Sequence, residues 1–228
     1  MNQKKHIVIT GVSGNLGKAA ASYFSSIGFK VTGIWSNGKR PLEKKEFDFE
    51  VDLTDEASTA LCINQIIDKA GHIDVLLSMA GGFEAGALEE TSLDMVRRMM
   101  KINFETVWNT VKPVFSSMKS QSAPGRIVLV GARPAFDPDK GKEAVAYALS
   151  KSVLNELAAL INASAAPHDI VCSIIVPGTI DTPQNRSWAG NMDISSWVTT
   201  EELVKGIEFL ISPQAGKLRE PVLRFYGD

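Results

Sequence analysis

Runs of β-branched and aliphatic residues alternate with helical patterns along the chain, and a parallel sheet covered by helices on both faces is the arrangement that buries them all. Strands are expected at 6–10, 30–35, 47–52, 73–78, 126–131, 170–176 and 221–226, and helices at 15–27, 55–70, 91–119, 143–164 and 200–211. Ile127-Val128-Leu129-Val130 and Ile174-Ile175-Val176 are apolar at every position, as strands buried on both faces require. Thr54 before Asp55-Glu56, and Thr200 before Glu201-Glu202, put an N-cap oxygen and negative charge where a helix start needs them. The stretches 122–125 and 134–141 read as loops. Residues 177–199, with Trp188 and Trp197, read as one long irregular segment of the kind that serves as a binding loop or lid. At 228 residues and 44% hydrophobic, the chain can build one sizeable core, so 1–228 is expected to be a single doubly wound α/β domain.

With 24 basic and 26 acidic residues, a net charge of -2, nothing draws this chain to nucleic acid. The cluster Lys39-Arg40 and Lys44-Lys45 is broken by Glu43 and Glu46 and, taken by itself, reads as a solvated loop. Cys62 and Cys172 stand far apart without a partner at metal-ligand spacing, so both are expected to be reduced core residues and no metal is expected. Lys4-Lys5 leads only into a short apolar run that already reads as a strand, and no stretch approaches the ~20 apolar residues of a membrane span. Neither a membrane nor nucleic acid is expected as a partner, and the cytoplasm is the expected location.

His6-Ile7-Val8-Ile9-Thr10 runs into Gly11-Val12-Ser13-Gly14-Asn15-Leu16-Gly17 just where a helical pattern begins. The first glycine suits a tight turn, the second a close approach to a pyrophosphate, and the third close packing of helix on strand. The helix N-terminus would then offer N–H groups and a positive dipole end to the phosphates. A sharp strand-to-helix turn by itself can also require glycines. Cofactors with a free 2′-hydroxyl are held by an acid ~20 residues beyond such a turn. Here that place reads Trp35-Ser36-Asn37-Gly38-Lys39-Arg40, with no carboxylate before Glu43. Ser36, Asn37, Lys39 and Arg40 suit a 2′-phosphate, so NADP(H) is expected to be preferred and NAD(H) to remain usable.

Tyr147-Ala148-Leu149-Ser150-Lys151 places a phenol and an ammonium at i and i+4 on one helix face. A cation ~4 Å away favours the phenolate by up to ~4 kcal/mol, which would bring a phenol of pKa ~10 toward the working range of a general acid. In isolation the pair is also what an amphipathic helix with a solvated lysine shows.

The glycine turn, Asp52-Leu53-Thr54-Asp55, Ala80-Gly81, Asn103, Tyr147 with Lys151, and Pro177-Gly178-Thr179-Ile180-Asp181-Thr182 follow one order. In that order, from residue 6 to the C-terminus, the chain resembles the short-chain dehydrogenase/reductase family. The resemblance implies a Rossmann-type fold. It implies that Asp52, with Leu53, meets the adenine edge, that Ala80 and Gly81 line the adenosine side, and that Pro177, Gly178, Thr179, Ile180 and Thr182 face the nicotinamide carboxamide. Lys151 would hold the nicotinamide ribose and lower the Tyr147 pKa, and Asn103 would support a water-linked proton relay. Asp52 also reads as a helix-entry residue, Asn103 as a helix-surface amide, and Pro177-Gly178 as a plain turn. The helices 91–119 and 143–164 resemble those that pair as a four-helix interface in this family, so a homodimer or homotetramer is expected.

Two departures stand out. The family's active-site serine on the fifth strand is missing, for Val130-Gly131-Ala132-Arg133 stands there, and Ser78-Met79-Ala80-Gly81 replaces Asn-Asn-Ala-Gly. The dihydropteridine reductase branch is similar in having Ala-Gly-Gly (here Ala80-Gly81-Gly82), Ala-Gly-Ala in place of the serine, and segments like 181–186 and Ser195-Ser196-Trp197. The expected function is therefore reduction of a quinonoid dihydropterin or other conjugated cyclic small molecule, with Tyr147 as proton donor, Ala132 beside the substrate, and Trp188 and Trp197 offering it a flat surface. Both tryptophans also suit pinning the loop to the core. A general NADPH-dependent carbonyl reductase, in which Arg133 or a water replaces the serine, and a cofactor-binding sensor without turnover are the other readings. Arg133 reads equally as half of a surface salt bridge.

Overall fold

The computed structural model describes residues 4–36, 48–219 and 221–226. In chain order it contains β1 (His6–Thr10), α1 (Asn15–Ser26), β2 (Lys30–Trp35), β3 (Phe49–Glu50), α2 (Glu56–Ala70), β4 (Val75–Ser78) and α3 (Leu93–Met100). A π-helical turn (Lys101–Glu105) leads into α4 (Thr106–Ser120), β5 (Gly125–Val130), the single turn α5 (Pro138–Gly141), α6 (Val145–Ala165) and β6 (Ile170–Pro177). The chain closes with β7 (Ile180–Asp181), α7 (Pro183–Ala189), β8 (Val198–Thr199), α8 (Thr200–Ile211) and β9 (Val222–Phe225).

Seven strands form one sheet in the order β3-β2-β1-β4-β5-β6-β9, with every neighbouring pair parallel. The order reverses at β1, which pairs with both β2 and β4, so the crevice that such sheets use for ligands opens at the C-terminal ends of β1 and β4. The five inner strands feed both faces by alternation. Val8, Leu76, Ile127, Leu129, Cys172 and Ile174 pack with residues of α2, α4 and α6, whereas Ile7, Ile9, Val75, Leu77, Val128 and Ile175 pack with α1 and α8. Roughly 1.5–3 kcal/mol accompanies full burial of each such aliphatic side chain, so these two layers, more than helix propensity, fix where the helices lie. None of the described helices is long and apolar enough to cross a membrane.

Several boundaries differ from those read in the sequence. Asp55, not Thr54, caps α2, because its carboxylate accepts the Ser58 N–H. Thr199, not Thr200, caps α8, in a reciprocal capping box with Glu202. A single helix over 91–119 is replaced by α3, the π turn and α4, and Ser92 caps α3 by accepting the Met95 N–H. The third strand is only Phe49–Glu50 among the described residues. The stretch 134–141 holds a 3₁₀ turn (Arg133–Ala135) and α5. Segment 177–199 is less irregular than expected. It carries α7, and its two feet, β7 and β8, pair in parallel through Ile180 with Val198 and Asp181 with Thr199.

Candidate active site

Thr10 closes β1 with a side chain that fixes the neighbouring strand. Its hydroxyl oxygen accepts the N–H groups of Met79 at 3.0 Å and Ala80 at 3.2 Å. The next residue turns the chain with a φ of +68° at Gly11, where a Cβ would stand 2.9 Å from the Ala80 nitrogen. Only glycine suits both the left-handed backbone and that approach. At Gly17 a Cβ would fall on the Gly11 carbonyl oxygen, so the first turn of α1 lies directly on the glycine turn. Gly14 caps α1 without a side-chain hydrogen bond and no acid occupies the first turn. Gly14 and Asn15 are exposed, Ser13 and Leu16 half-buried. A 12-residue helix whose first N–H groups lack a side-chain acceptor, behind a cradle that side chains would fill, fits the pyrophosphate of a dinucleotide.

Toward the end expected to take adenine, Ser36 is exposed just after β2, while Asn37, Lys39 and Arg40 lie outside the described residues. Asp52 is exposed, and its Oδ1 accepts both the N–H (2.9 Å) and the O–H (2.8 Å) of Thr54, which holds its carboxyl below the usual carboxylate range. Leu53 is buried, and its carbonyl accepts Asn109 Nδ2 from α4 at 3.0 Å.

The other end is built where β4, the π turn and α6 meet. Asn103 is fully buried on the π turn, and its amide is saturated: Oδ1 accepts the Gly82 N–H at 2.9 Å, while Nδ2 donates to the Gly82 carbonyl and to Ser150 Oγ, each at 3.0 Å. Ser150 in turn donates to the Tyr147 carbonyl at 2.8 Å. A Cβ on Gly81 would stand 2.6 Å from Asn103 Oδ1 and 3.3 Å from Lys151 Nζ, so Gly81 is the point where Asn103 and Lys151 come together. Lys151 is buried and donates from Nζ to the Val130 carbonyl at 2.9 Å. Burial lowers its pKa to about 8, and burial raises the Tyr147 phenol to about 12. The expected lowering of the phenol by Lys151 is therefore reversed here, because desolvation dominates at Tyr147 and the ammonium is aimed at the end of β5. The phenol is accordingly protonated at neutral pH.

Ala132 is buried just beyond β5. Arg133 turns away into a structural cluster, with Nε donating to Asp137 Oδ2 at 3.1 Å and the guanidinium 4.5 Å from the centre of the Tyr226 ring. Pro177 is buried at the end of β6 and Gly178 donates its N–H to the Phe225 carbonyl at 2.9 Å. The Thr179 carbonyl accepts the Val198 N–H and the Ile180 carbonyl accepts Asn185 Nδ2. Thr182 caps α7 by accepting the Asn185 N–H. Trp188 is more than half exposed and lies against Trp197 with ring centroids 5.6 Å apart, so the two rings support each other on the outer part of the segment.

A family description of short chain dehydrogenases matches residues 5–193. The chain belongs to the short-chain dehydrogenase/reductase family. The 2,3-dihydro-2,3-dihydroxybenzoate dehydrogenase of Escherichia coli is 26% identical over 95% of this chain and 85% of its own length. The 3-oxoacyl-[acyl-carrier-protein] reductase FabG of Buchnera aphidicola (subsp. Acyrthosiphon pisum) is 28% identical over 96% of this chain and 94% of its own. Among solved structures, the ligand-free aldohexose dehydrogenase AldT of Thermoplasma acidophilum superimposes with a TM-score of 0.84 at 25% identity, over 97% of this chain and 92% of that one. As a short-chain dehydrogenase/reductase the chain is a nicotinamide-dependent oxidoreductase.

Sequence reasoning passed over three residues that the structure brings to this junction: Thr10, Ser150 and Phe83, whose ring lies 5.0 Å from that of Tyr147. Thr10 is signalled only by a hydroxyl directly before the glycine turn. Ser150 was legible as the i+3 neighbour of Tyr147 on the same helix face. Phe83, directly after Ala80-Gly81-Gly82, has no signal beyond its position.

Proposed function

We propose that this oxidoreductase reduces a flat conjugated ring of the quinonoid dihydropterin kind, preferring NADP(H) and tolerating NAD(H). When bound, the reduced nicotinamide supplies the hydride. Tyr147 supplies the proton: burial keeps its phenol neutral until negative charge develops on the substrate heteroatom beside it, and the O–H bond then breaks toward that atom. Lys151, whose Nζ is bonded to the Val130 carbonyl, would hold the nicotinamide ribose and offset the negative charge left on the phenolate, and water would return the proton to Tyr147. Asn103 keeps Gly82 and α6 in register, so its role in this reading is to position the proton donor. The turn Gly11 to Gly17 would hold the pyrophosphate, Ser36, Asn37, Lys39 and Arg40 the 2′-phosphate, Asp52 and Leu53 the adenine edge, Ala80, Gly81 and Gly82 the adenosine side, and Pro177 to Thr182 the carboxamide.

The observation that carries the substrate class is the apolar Ala132 at the place of the family's serine, next to an Arg133 already engaged by Asp137 and Tyr226. An isolated ketone gains from a preorganised donor at its oxygen, whereas a conjugated acceptor delocalises the incoming charge and needs that donor less. Trp188 would supply apolar ring surface at the mouth. A second reading, a general ketone reductase, is favoured by the Buchnera relative's name, and it requires a water in the place expected for Arg133. Steady-state assays that follow NADPH oxidation with a quinonoid dihydropterin, a quinone and aliphatic ketones test the choice. The conjugated acceptors should be reduced far faster, and Ala132→Ser should raise ketone turnover selectively. Equal or faster reduction of ketones by the wild type would establish the second reading, and tight NADPH binding without any turnover would make the protein a sensor. A lower dissociation constant for NADH than for NADPH would remove the proposed cofactor preference.

A further inference from the structure

Phe83 sets its ring 5.0 Å from that of Tyr147, centroid to centroid, with the planes at 75°. It is nevertheless 66% exposed. A phenylalanine on a loose loop is often exposed without consequence, but the segment around Phe83 is fastened at both ends. On one side Gly82 exchanges two hydrogen bonds with the buried Asn103 amide. On the other, Gly86 donates its N–H to the Glu143 carbonyl at 2.9 Å and accepts the Val145 N–H at 3.0 Å, so it is bonded to the chain entering α6. Between them Glu84 pairs with Arg98 of α3 at 2.7 Å. The ring is thus held out to solvent against the phenol by the same elements that hold Asn103 and Tyr147.

We propose that Phe83 is a specificity-determining residue, an aromatic wall that lays a planar conjugated substrate beside the Tyr147 hydroxyl. This rests on the reading of Tyr147 as proton donor. Ring faces attract ring edges and offset rings beyond what their apolar area gives, and a saturated ring forgoes that part. The preference that one such contact confers is about threefold to tenfold.

The test compares menadione, a planar quinone, with cyclohexanone in the cofactor-saturated enzyme, and measures binding of 2-naphthol against cyclohexanol by calorimetry as a readout independent of turnover. In Phe83→Leu, which keeps apolar bulk but removes the ring, both the kcat/KM ratio and the binding ratio should fall by about threefold to tenfold, and Phe83→Tyr should restore them. Unchanged ratios in Phe83→Leu, or an equal loss for both members of each pair, would overturn the inference and leave Phe83 as a cover for Tyr147. The reading beneath it fails separately. If Tyr147→Phe retains more than about a tenth of wild-type turnover where chemistry limits the rate, Tyr147 is not the proton donor, whatever the ratios show.

Discussion

Adding one methyl group at Gly81 should damage the site more than adding one at Gly82. A Cβ at Gly81 would stand 2.6 Å from Asn103 Oδ1, closer than carbon and oxygen tolerate, so the amide must retreat by roughly half an ångström. It has nowhere to go without loosening the bonds to the Gly82 N–H, the Gly82 carbonyl and Ser150. Weakening or losing one or two bonds of a buried amide costs about 1–3 kcal/mol, the same range as overpacking a core. For a chain of this length each kcal/mol lowers Tm by about 2–4 °C. At Gly82 the added Cβ meets only the Cδ1 tip of Ile102, which can rotate aside. Thermal unfolding and kcat/KM of Gly81→Ala, Gly82→Ala and wild type decide the matter. Gly81→Ala should melt several degrees lower and lose turnover, with Gly82→Ala near wild type in Tm. If Gly81→Ala melts with the wild type, or if Gly82→Ala is the worse of the two, the saturated Asn103 amide is not what holds this junction.

Lys151→Met should abolish most turnover yet stabilise the folded chain at pH 7 by about 1–3 kcal/mol in urea unfolding, because a buried ammonium whose pKa has fallen to about 8 opposes folding. Its unfolded value is higher, so this penalty is full below pH 8 and fades as pH rises toward 10.5. Unchanged or lower stability of the variant would refute it. His6 is buried with Nδ1 donating to the His72 carbonyl at 2.7 Å and Nε2 accepting from Thr32 Oγ1 at 2.8 Å, and burial lowers its pKa below 6.5. Stability should therefore be full above pH 6.5 and decline as pH falls below it, since the unfolded chain takes up the proton more readily than the folded one; an unfolding midpoint flat from pH 7 to about 5 would contradict this. Trp108 on α4 and Leu149 and Leu160 on α6 are about half exposed, and light scattering should find a dimer or tetramer that Leu149→Glu with Leu160→Glu dissociates; a monomeric wild type would remove that expectation.

The sheet was legible because buried parallel strands leave a pattern that little else produces: β6 is apolar at nearly every position and is buried throughout. The glycine turn and the Tyr147–Lys151 spacing were legible for a similar reason, since local geometry dictates the residue type. The π turn was not, because its residues continue a helical pattern and the extra residue per turn comes from tertiary contacts of Asn103. Caps were displaced by one residue at α2 and α8, where adjacent side chains, Thr54 and Asp55 or Thr199 and Thr200, can all accept a hydrogen bond. The direction of the Tyr147 pKa was misjudged because spacing shows a neighbouring cation but not the loss of water around both groups. Phe83, Thr10 and Ser150 act across contacts between distant segments, which a linear pattern does not record.

The π turn also makes length itself a functional property of this helix pair. In a regular α-helix one residue more or less turns everything beyond it by about 100° about the axis, and the wider π turn absorbs one extra residue with the two flanking faces kept in register. With the turn in place, α3 packs on α6 while α4 directs Val107, Val111, Val114 and Met118 at the sheet beside α2. Deleting a single residue between 101 and 105 would regularise the helix with both faces still in place but remove the wide turn that brings Asn103 to Gly82, whereas inserting one more would swing the valine stripe out of the core. Exchanging the exposed Glu105 for another residue does neither. This stretch should tolerate changes of letter far better than changes of number.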